Sequence, residues 1–394
     1  MTAGALTSSV SGSALAPALV REEAAPKKLP VLRVATVDDY PQIRRLESAH
    51  GLLTLEPADW RAIWLDNPLW DRLGNSWPIG WVLEESSGEI VGSLGNIPSM
   101  YVMGGRRLIA ATGRAWVVRE QYRGIALWLM DEYFNQSGVD LFINTTVNSR
   151  AVDPFKAFGS LAVPTGDWES AAFFITNYRG FAAAALRIKH FPLPGLLWPF
   201  AASVLKMKDM LCSSRPARAS DGLVIEQAGE FDGQFDNFWQ ELQRQNPAKM
   251  LGVRDCQTLT WHFAGSLRTA HAWILTASRG GLMRAYAVLK RQDHPQSRLT
   301  RIRLVDYQTI EPDVDTLSPL IDFALRKCVN DRIHVMEHVG CNLPKMRIFD
   351  RHAPYRRRLP AWPYYYKASD LAVEEALQQP LAWDPSSYDG DASL

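Results

Sequence analysis

Cysteine is scarce: four in 394 residues, Cys212, Cys256, Cys328 and Cys341, with no CxxC pair among them. That spacing excludes a zinc ribbon and a disulfide scaffold, and it fits a reducing compartment, the cytoplasm. An excess of charge is missing too. Lys and Arg number 43 against 42 Asp and Glu, so no global field favours nucleic acid, and no nucleic-acid partner is expected. Nor is there an apolar run long enough to span a bilayer, because the best stretch, beginning at Phe191, is broken by Pro192, Pro194 and Pro199. Residues 1–30 are rich in Ala, Ser and Pro, with no Lys or Arg before Arg21. Lacking both the basic start and the apolar core of a secretory signal, they read as a disordered lead-in.

What is present is apolar and aromatic: 47 % hydrophobic residues and 14 Trp, enough for broad aromatic walls in cores or clefts. The length suits two domains, each able to bury a core.

Two similar halves emerge from the periodicity. In the first, Val31 to Ala35 is a strand, capped helices follow through Leu46 and from Glu56 to Leu65, and Trp60, Ile63 and Trp64 fall at helical spacing. Gly80 to Glu84 and Glu89 to Leu94 form a hairpin, with further strands at Met100–Met103 and Arg107–Val118. A helix over Gly124–Phe134 and a strand over Asp140–Asn144 complete the half. The second half repeats the order: strand Gly222–Glu226, helix Phe235–Gln245, a meander over Ala270–Thr276, Leu282–Lys290 and Arg301–Tyr307, helix Leu317–Cys328 and strand Arg332–His338. The expected organisation is a lead-in over 1–30, a domain over 31–185, an apolar linker over 186–220, a second domain over 221–370 and a tail over 371–394. Residues 191–211 read either as a linker packed on the protein or as a peripheral membrane contact rimmed by Lys206 and Lys208.

The segment from Trp116 to Met130 carries the chemistry. An apolar strand ending in Val117 and Val118 runs into the turn Gln121-Tyr122-Arg123-Gly124-Ile125-Ala126 and then into an apolar-periodic helix. The N–H groups of a first helical turn, with the helix dipole, suit a pyrophosphate, and Gly124 puts no Cβ in its way. Downstream lies Asn148-Ser-Arg-Ala-Val-Asp-Pro-Phe155-Lys-Ala-Phe-Gly159.

In these two motifs and their order the chain resembles the GNAT N-acetyltransferase superfamily. The resemblance implies an α/β fold of mixed, α+β type: two tandem GNAT-like domains, each a mostly antiparallel sheet flanked by helices. It implies an acyl-CoA co-substrate such as acetyl-CoA, with Val117 and Val118 beside the pantetheine arm, Gln121, Tyr122, Arg123, Gly124, Ile125 and Ala126 at the diphosphate, and Asn148 near the thioester. Phe155 stands where many relatives have a proton-donating tyrosine, and Trp128 takes the place of a second loop glycine. Two readings follow: an acyltransferase, or a non-catalytic acyl-CoA-binding protein.

The second half has no such loop. After Tyr307 comes Glu311-Pro-Asp-Val-Asp, acidic where a diphosphate needs N–H donors. A tandem pair with one coenzyme site resembles Fem-type aminoacyltransferases and the two-domain acyltransferases of polysaccharide pathways, which implies an acceptor such as a sugar or envelope-polymer precursor, a small molecule or carbohydrate precursor held between domains. Asp306 is a candidate acceptor contact or base.

Three further motifs were weighed. His334-Val-Met-Glu-His338 spells H-x-x-E-H, which binds zinc only on a helix. With Ile333, Val335 and Val339 around it the segment is a strand, on which the histidines stand roughly 13 Å apart; no metal is expected. Arg356 to Arg358, followed by Trp362 to Tyr366, reads as a basic turn before an aromatic strand, or as a phosphate-binding and stacking surface. The acidic tail, Trp383 to Ser393, lacks the bidentate Glu of a calcium loop.

Overall fold

The two longest strands, Ile90–Met103 and Arg106–Val118, form one antiparallel hairpin turned by Gly104 and Gly105, whose φ angles are 59° and 76°. Left-handed φ at successive positions is what two glycines allow without a Cβ clash. The sequence separates Glu89–Leu94 from Met100–Met103; the structure runs one strand through Pro98. It can do so because the neighbouring strand on that side pairs only as far as Gly95, so the missing Pro98 N–H interrupts no ladder.

The computed structural model describes residues 28–190, 194–212, 222–311, 313–359 and 363–394. Most of the lead-in, Phe191, Pro192 and Trp362 fall outside those residues. In chain order the strands are β1 (Val31–Val34), β2 (Gly80–Glu84), β3 (Ile90–Met103), β4 (Arg106–Val118), β5 (Leu141–Asn144), β6 (Leu161–Ala162), β7 (Asp167–Ile175) and β8 (Leu223–Ala228). There follow β9 (Leu251–Gly252), β10 (Ala272–Arg279), β11 (Leu282–Arg291), β12 (Arg301–Thr309), β13 (Val335–Cys341), β14 (Tyr355–Arg358) and β15 (Tyr365–Ala368).

They build two sheets. One has the order β1-β2-β3-β4-β5-β15-β6 with β9 beside β3, and the other the order β14-β7-β13-β12-β11-β10-β8. Each is antiparallel except for one pair, β4–β5 in the first and β12–β13 in the second. Helices flank both sheets, which is the mixed α/β architecture the motifs implied. In the first, Ile43, Leu46, Trp60, Ile63 and Trp64 of helices Tyr40–Ala49 and Pro57–Leu65 bury one face against Val82, Ile90 and Ile97. Leu129, Met130, Tyr133 and Phe134 of helix Leu127–Asn135 bury the other. Helices Gly233–Gln245 and Asp313–Asn330 cover the second sheet.

The sheets exchange strands. β7, from the first half of the chain, pairs with β13 and β14, while β15, from the second half, pairs with β5 and β6. Neither sheet therefore coincides with residues 31–185 or 221–370. The signal missed is the strand Asp167–Ile175, whose buried run Ala171 to Ile175 is as apolar as a two-faced core strand requires. Of the segment 186–220 read as a linker, Pro194–Cys212 is a helix that packs beside the helix Tyr178–Ile188 preceding it. Among the described residues no helix is long and apolar enough to cross a membrane.

The tail is part of the structure. Ser393 bonds His262 at 2.7 Å, Lys290 reaches the Ser393 carbonyl at 2.7 Å, and Tyr388 donates to the Val253 carbonyl at 2.6 Å. On the other side Thr146, just after β5, donates to Asp391 at 2.9 Å. The tail thus bridges the two halves.

Candidate functional site

β4 and β5 part company early. Their register runs Ala110↔Leu141, Ala111↔Phe142, Thr112↔Ile143 and stops, leaving Gly113 to Val118 without a strand on that side. The side chain of Asn144 bridges the fork, its Oδ1 accepting from the Gly113 N–H at 3.2 Å and from the Tyr133 hydroxyl at 3.3 Å. On its other edge β4 bulges: Ser93 faces Val117 and Gly95 faces Arg114, so Leu94 opposes both Ala115 and Trp116, with Ala115 at φ 51°. A bulge re-aims its neighbours.

A cavity of about 250 Å³ opens at the fork, lined by Gly113, Arg114, Trp116, Tyr133, Asn144 and Asp391 among others. Arg114 Nε, Trp116 Nε1 and Asn144 Nδ2 are buried donors with no hydrogen-bond partner among the described residues. Three donors left unpaired around one hollow are costly unless an acceptor-rich ligand fills it. Burial raises the Asp391 carboxyl above its ordinary range; the Arg114 charge and the Thr146 hydroxyl oppose that without cancelling it. Glu47, buried on the far side of Arg114, is likewise raised by burial.

Beyond Val118 the chain makes a 3-10 turn, Glu120–Ile125, and enters helix Leu127–Asn135. Gln121, Arg123 and Gly124 are exposed there, and a Cβ at Gly124 would meet nothing within 4 Å. Tyr122 differs from the rest of the motif. Its ring joins the core under the turn and its hydroxyl bonds Glu85, so it anchors the loop from beneath. Ile125 and Ala126 are half-buried at the helix start. Val117 and Val118 bury their side chains, and their backbones pair with Ser93 and Gly92 of β3. Asn148 lines the cavity, but its Oδ1 is taken up by the N–H groups of Arg150 and Ala151, the turn that opens helix Val152–Ala157. Phe155 also lines the cavity, its ring 5.8 Å from Phe134 and 6.4 Å from Tyr365. The hydroxyl that does face the fork is Tyr133, which donates to the Ala111 carbonyl at 2.9 Å.

A larger cavity of about 470 Å³ lies on the other side of Thr112, between Tyr101 and Arg107 of the first sheet and Trp239, Gln257 and Trp261 of the second half. The two hollows adjoin twice along the chain: Thr112 lines one and Gly113 the other, Gly390 lines one and Asp391 the other.

Asp306 is not at either hollow. It accepts from Arg254 at 2.9 Å, Tyr286 at 2.8 Å and Ser386 at 3.0 Å, with the Asp306 and Arg254 side chains 0 % and 1 % exposed. Burial would raise its carboxyl, but the Arg254 charge outweighs that and holds it at about 2. A carboxylate so saturated is a structural ion, and this corrects its reading as an acceptor contact or base. Its chain of contacts does reach the larger cavity, through Arg254 to Asp389, 3.9 Å apart. After β12, Glu311 is neutralised by Arg279 at 2.9 Å and Arg284 at 3.4 Å. Arg356, Arg357 and Arg358 each have a carboxylate within 4 Å: Asp350, Glu337 and Glu169. His338 lies on β13 and bonds the Gly340 carbonyl at 2.7 Å, and His334, just before that strand, accepts from the Thr300 N–H.

The sequence missed Arg114, Tyr133, Asn144 and Asp391. The signal available for them was position: Arg114 in the last part of β4, Tyr133 on the helix after the loop, Asn144 at the end of β5, and an aspartate near the end of the tail.

No family model matches the sequence, and no curated protein is similar to it. Solved structures are similar in fold. A GCN5-related N-acetyltransferase from Anabaena variabilis has a TM-score of 0.53 at 11 % identity, covering 86 % of this chain and 73 % of that one. One from Kribbella flavida has a TM-score of 0.53 at 13 % identity, covering 88 % and 72 %. Saccharomyces cerevisiae N-myristoyltransferase, solved with bound myristoyl-CoA, has a TM-score of 0.53 at 12 % identity, covering 87 % and 81 %. At such identities the likeness is one of architecture, and the architecture of this chain is that of the GCN5-related N-acetyltransferases.

Proposed function

We propose that the chain transfers an acetyl or other acyl group from coenzyme A to an amine or hydroxyl, on a sugar or envelope-polymer precursor. The observation that carries the reading is the fork itself: a β4 edge with no partner strand among the described residues, beside three buried donors that none of those residues satisfies. A pantetheine arm has amides for the strand edge and a thioester carbonyl for the donors. Gln121 to Ala126, at the helix start, would hold the diphosphate. Architecture supports the same class of chemistry, since its solved relatives are acyltransferases.

An attacking amine or hydroxyl must lose a proton, and the departing thiolate must gain one. Asp391, at the seam of the two cavities with its carboxyl raised by burial, lies where it could take the first. Tyr133 is the hydroxyl beside the fork in the role Phe155 cannot fill. The larger cavity, with its Trp and Gln side chains and carboxylates, suits a polar acceptor that stacks and hydrogen-bonds, as a sugar does. Fixing the two substrates at the seam supplies most of the rate gain.

The test is calorimetric titration with acetyl-CoA of the wild type and of Gly124→Glu. The variant adds bulk and negative charge at an open surface position, so it folds. Binding by the wild type and its loss in the variant support the reading; a folded wild type that binds neither acetyl-CoA nor longer acyl-CoAs rejects it. Phe155 favours a second reading, a non-catalytic acyl-CoA-binding protein. Binding without turnover on a panel of amines and amino sugars would select that one.

A further inference from the structure

Helix Pro194–Cys212 presents an apolar stripe to solvent. Phe200 is 76 % exposed, Val204 46 %, Met207 60 % and Met210 78 %, and their spacing of three and four places them on one face. Lys206 and Lys208, both exposed, stand on either flank of that face, the Lys208 ammonium 4.8 Å from the centre of the Tyr355 ring. At the end of the partner helix Ile188 is 50 % exposed, followed by exposed Lys189 and His190.

The charge around the stripe is of one sign. From Tyr178 to Cys212 there are five cations, Arg179, Arg187, Lys189, Lys206 and Lys208, and a single acid, Asp209. Asp209 is buried and receives the Tyr178 hydroxyl at 2.7 Å, so it shows little charge to the outside. In a chain balanced overall at 43 against 42, this concentration of cations beside an outward apolar face is local. We propose that the helix Pro194–Cys212 docks on an anionic lipid surface, with Phe200, Val204, Met207 and Met210 among the acyl chains and Lys206 and Lys208 at the headgroups.

The arrangement has the physics of an interfacial helix. The apolar side chains enter the boundary while lysine stems lie along it and lift their ammonium groups to the phosphates. Methionines adapt to an irregular apolar surface better than branched residues do. A protein partner would ask for shape and acceptors on this face; the described stripe offers lysines and apolar side chains, a pattern that an anionic bilayer complements without further structure. The inference is independent of the coenzyme site.

The experiment is co-sedimentation of the full chain with phosphatidylcholine vesicles, with and without about one quarter phosphatidylserine. Partition should need the anionic lipid and weaken as salt is added. Met210→Asp should lower it on the order of tenfold, and Lys206→Gln and Lys208→Gln by about fivefold each. All three positions are exposed, so thermal unfolding should match the wild type. Absence of partition in the folded wild type, or partition that the three variants leave unchanged, overturns the proposal. So does sedimentation of the wild type as a dimer that Met210→Asp dissociates, with no vesicle binding, because the face then belongs to a second copy.

Discussion

Thr112 and Ile143 are the last residues to pair across β4 and β5, and one residue later Gly113 closes to 3.2 Å of the Asn144 side chain. A Cβ at Gly113 would lie 2.7 Å from Asn144 Oδ1 and 3.5 Å from the Tyr133 ring. Gly113→Ala should therefore wedge the fork, costing about 1–3 kcal/mol in thermal or denaturant unfolding and weakening acetyl-CoA in calorimetry. Gly124→Ala, in open space, should leave stability unchanged. Equal unfolding midpoints for Gly113→Ala and the wild type would show that the fork is soft.

Asp391→Asn keeps the shape of the seam and removes the carboxylate proposed as its base. Turnover should fall about 10²-fold, with KM for acetyl-CoA little changed. Wild-type kcat should rise with pH through a group titrating above an ordinary carboxylate, because burial raises Asp391, and the variant should lose that limb of the profile. A variant that keeps both its rate and its pH limb excludes Asp391 as the base.

Asp389 gives stability a pH dependence of its own. Burial raises its carboxyl from 3.8 to about 6, although Arg254 pulls the other way. Between those values the folded chain holds a proton that the unfolded chain releases. Stability from this group is complete below about pH 4 and lost as pH rises to about 6, by about 3 kcal/mol. Asp389→Asn should abolish that decline, so the variant's advantage over the wild type grows from pH 4 to pH 6 and then stays level. Denaturant unfolding at a series of pH values measures it, and parallel curves for the two proteins would refute the assignment.

Much of this was legible in local pattern. The strand ending at Val118, the turn at Gln121 to Ala126 and the helix after it are neighbours in sequence, so periodicity and one glycine sufficed to place them. The exchange of β7 and β15 between sheets was not legible, because strand pairing over nearly two hundred residues leaves no mark on either segment. What surrounds Asp306 was not legible for a related reason: Arg254, Tyr286 and Ser386, which saturate it, come from three distant segments. Asp391 carries no local signal, since its acidic tail reads only as a spacing that fails a calcium loop; the contacts to Thr146, His262 and Lys290 show the tail to be a bridge.

Glu337 holds three arginines together inside the second sheet. It is 1 % exposed, with Arg303 at 2.6 Å, Arg357 at 2.8 Å and Arg301 at 3.3 Å. Burial would raise its carboxyl, but the three charges outweigh that and hold it at about 2. Removing this anion leaves Arg303 buried beside Arg301 with its charge uncompensated there, so Glu337→Gln should cost about 3–5 kcal/mol at neutral pH. The folded pKa lies below the unfolded one, so the stability Glu337 contributes is present above about pH 4 and lost as pH falls towards 2. The difference between wild type and variant should shrink over that interval. Replacing Arg303 together with Glu337 by apolar residues of similar volume should recover part of the loss, since the most deeply buried of the three cations then goes with its anion. If the single variant unfolds at the wild-type denaturant midpoint, the cluster is solvated in solution and contributes little to the fold.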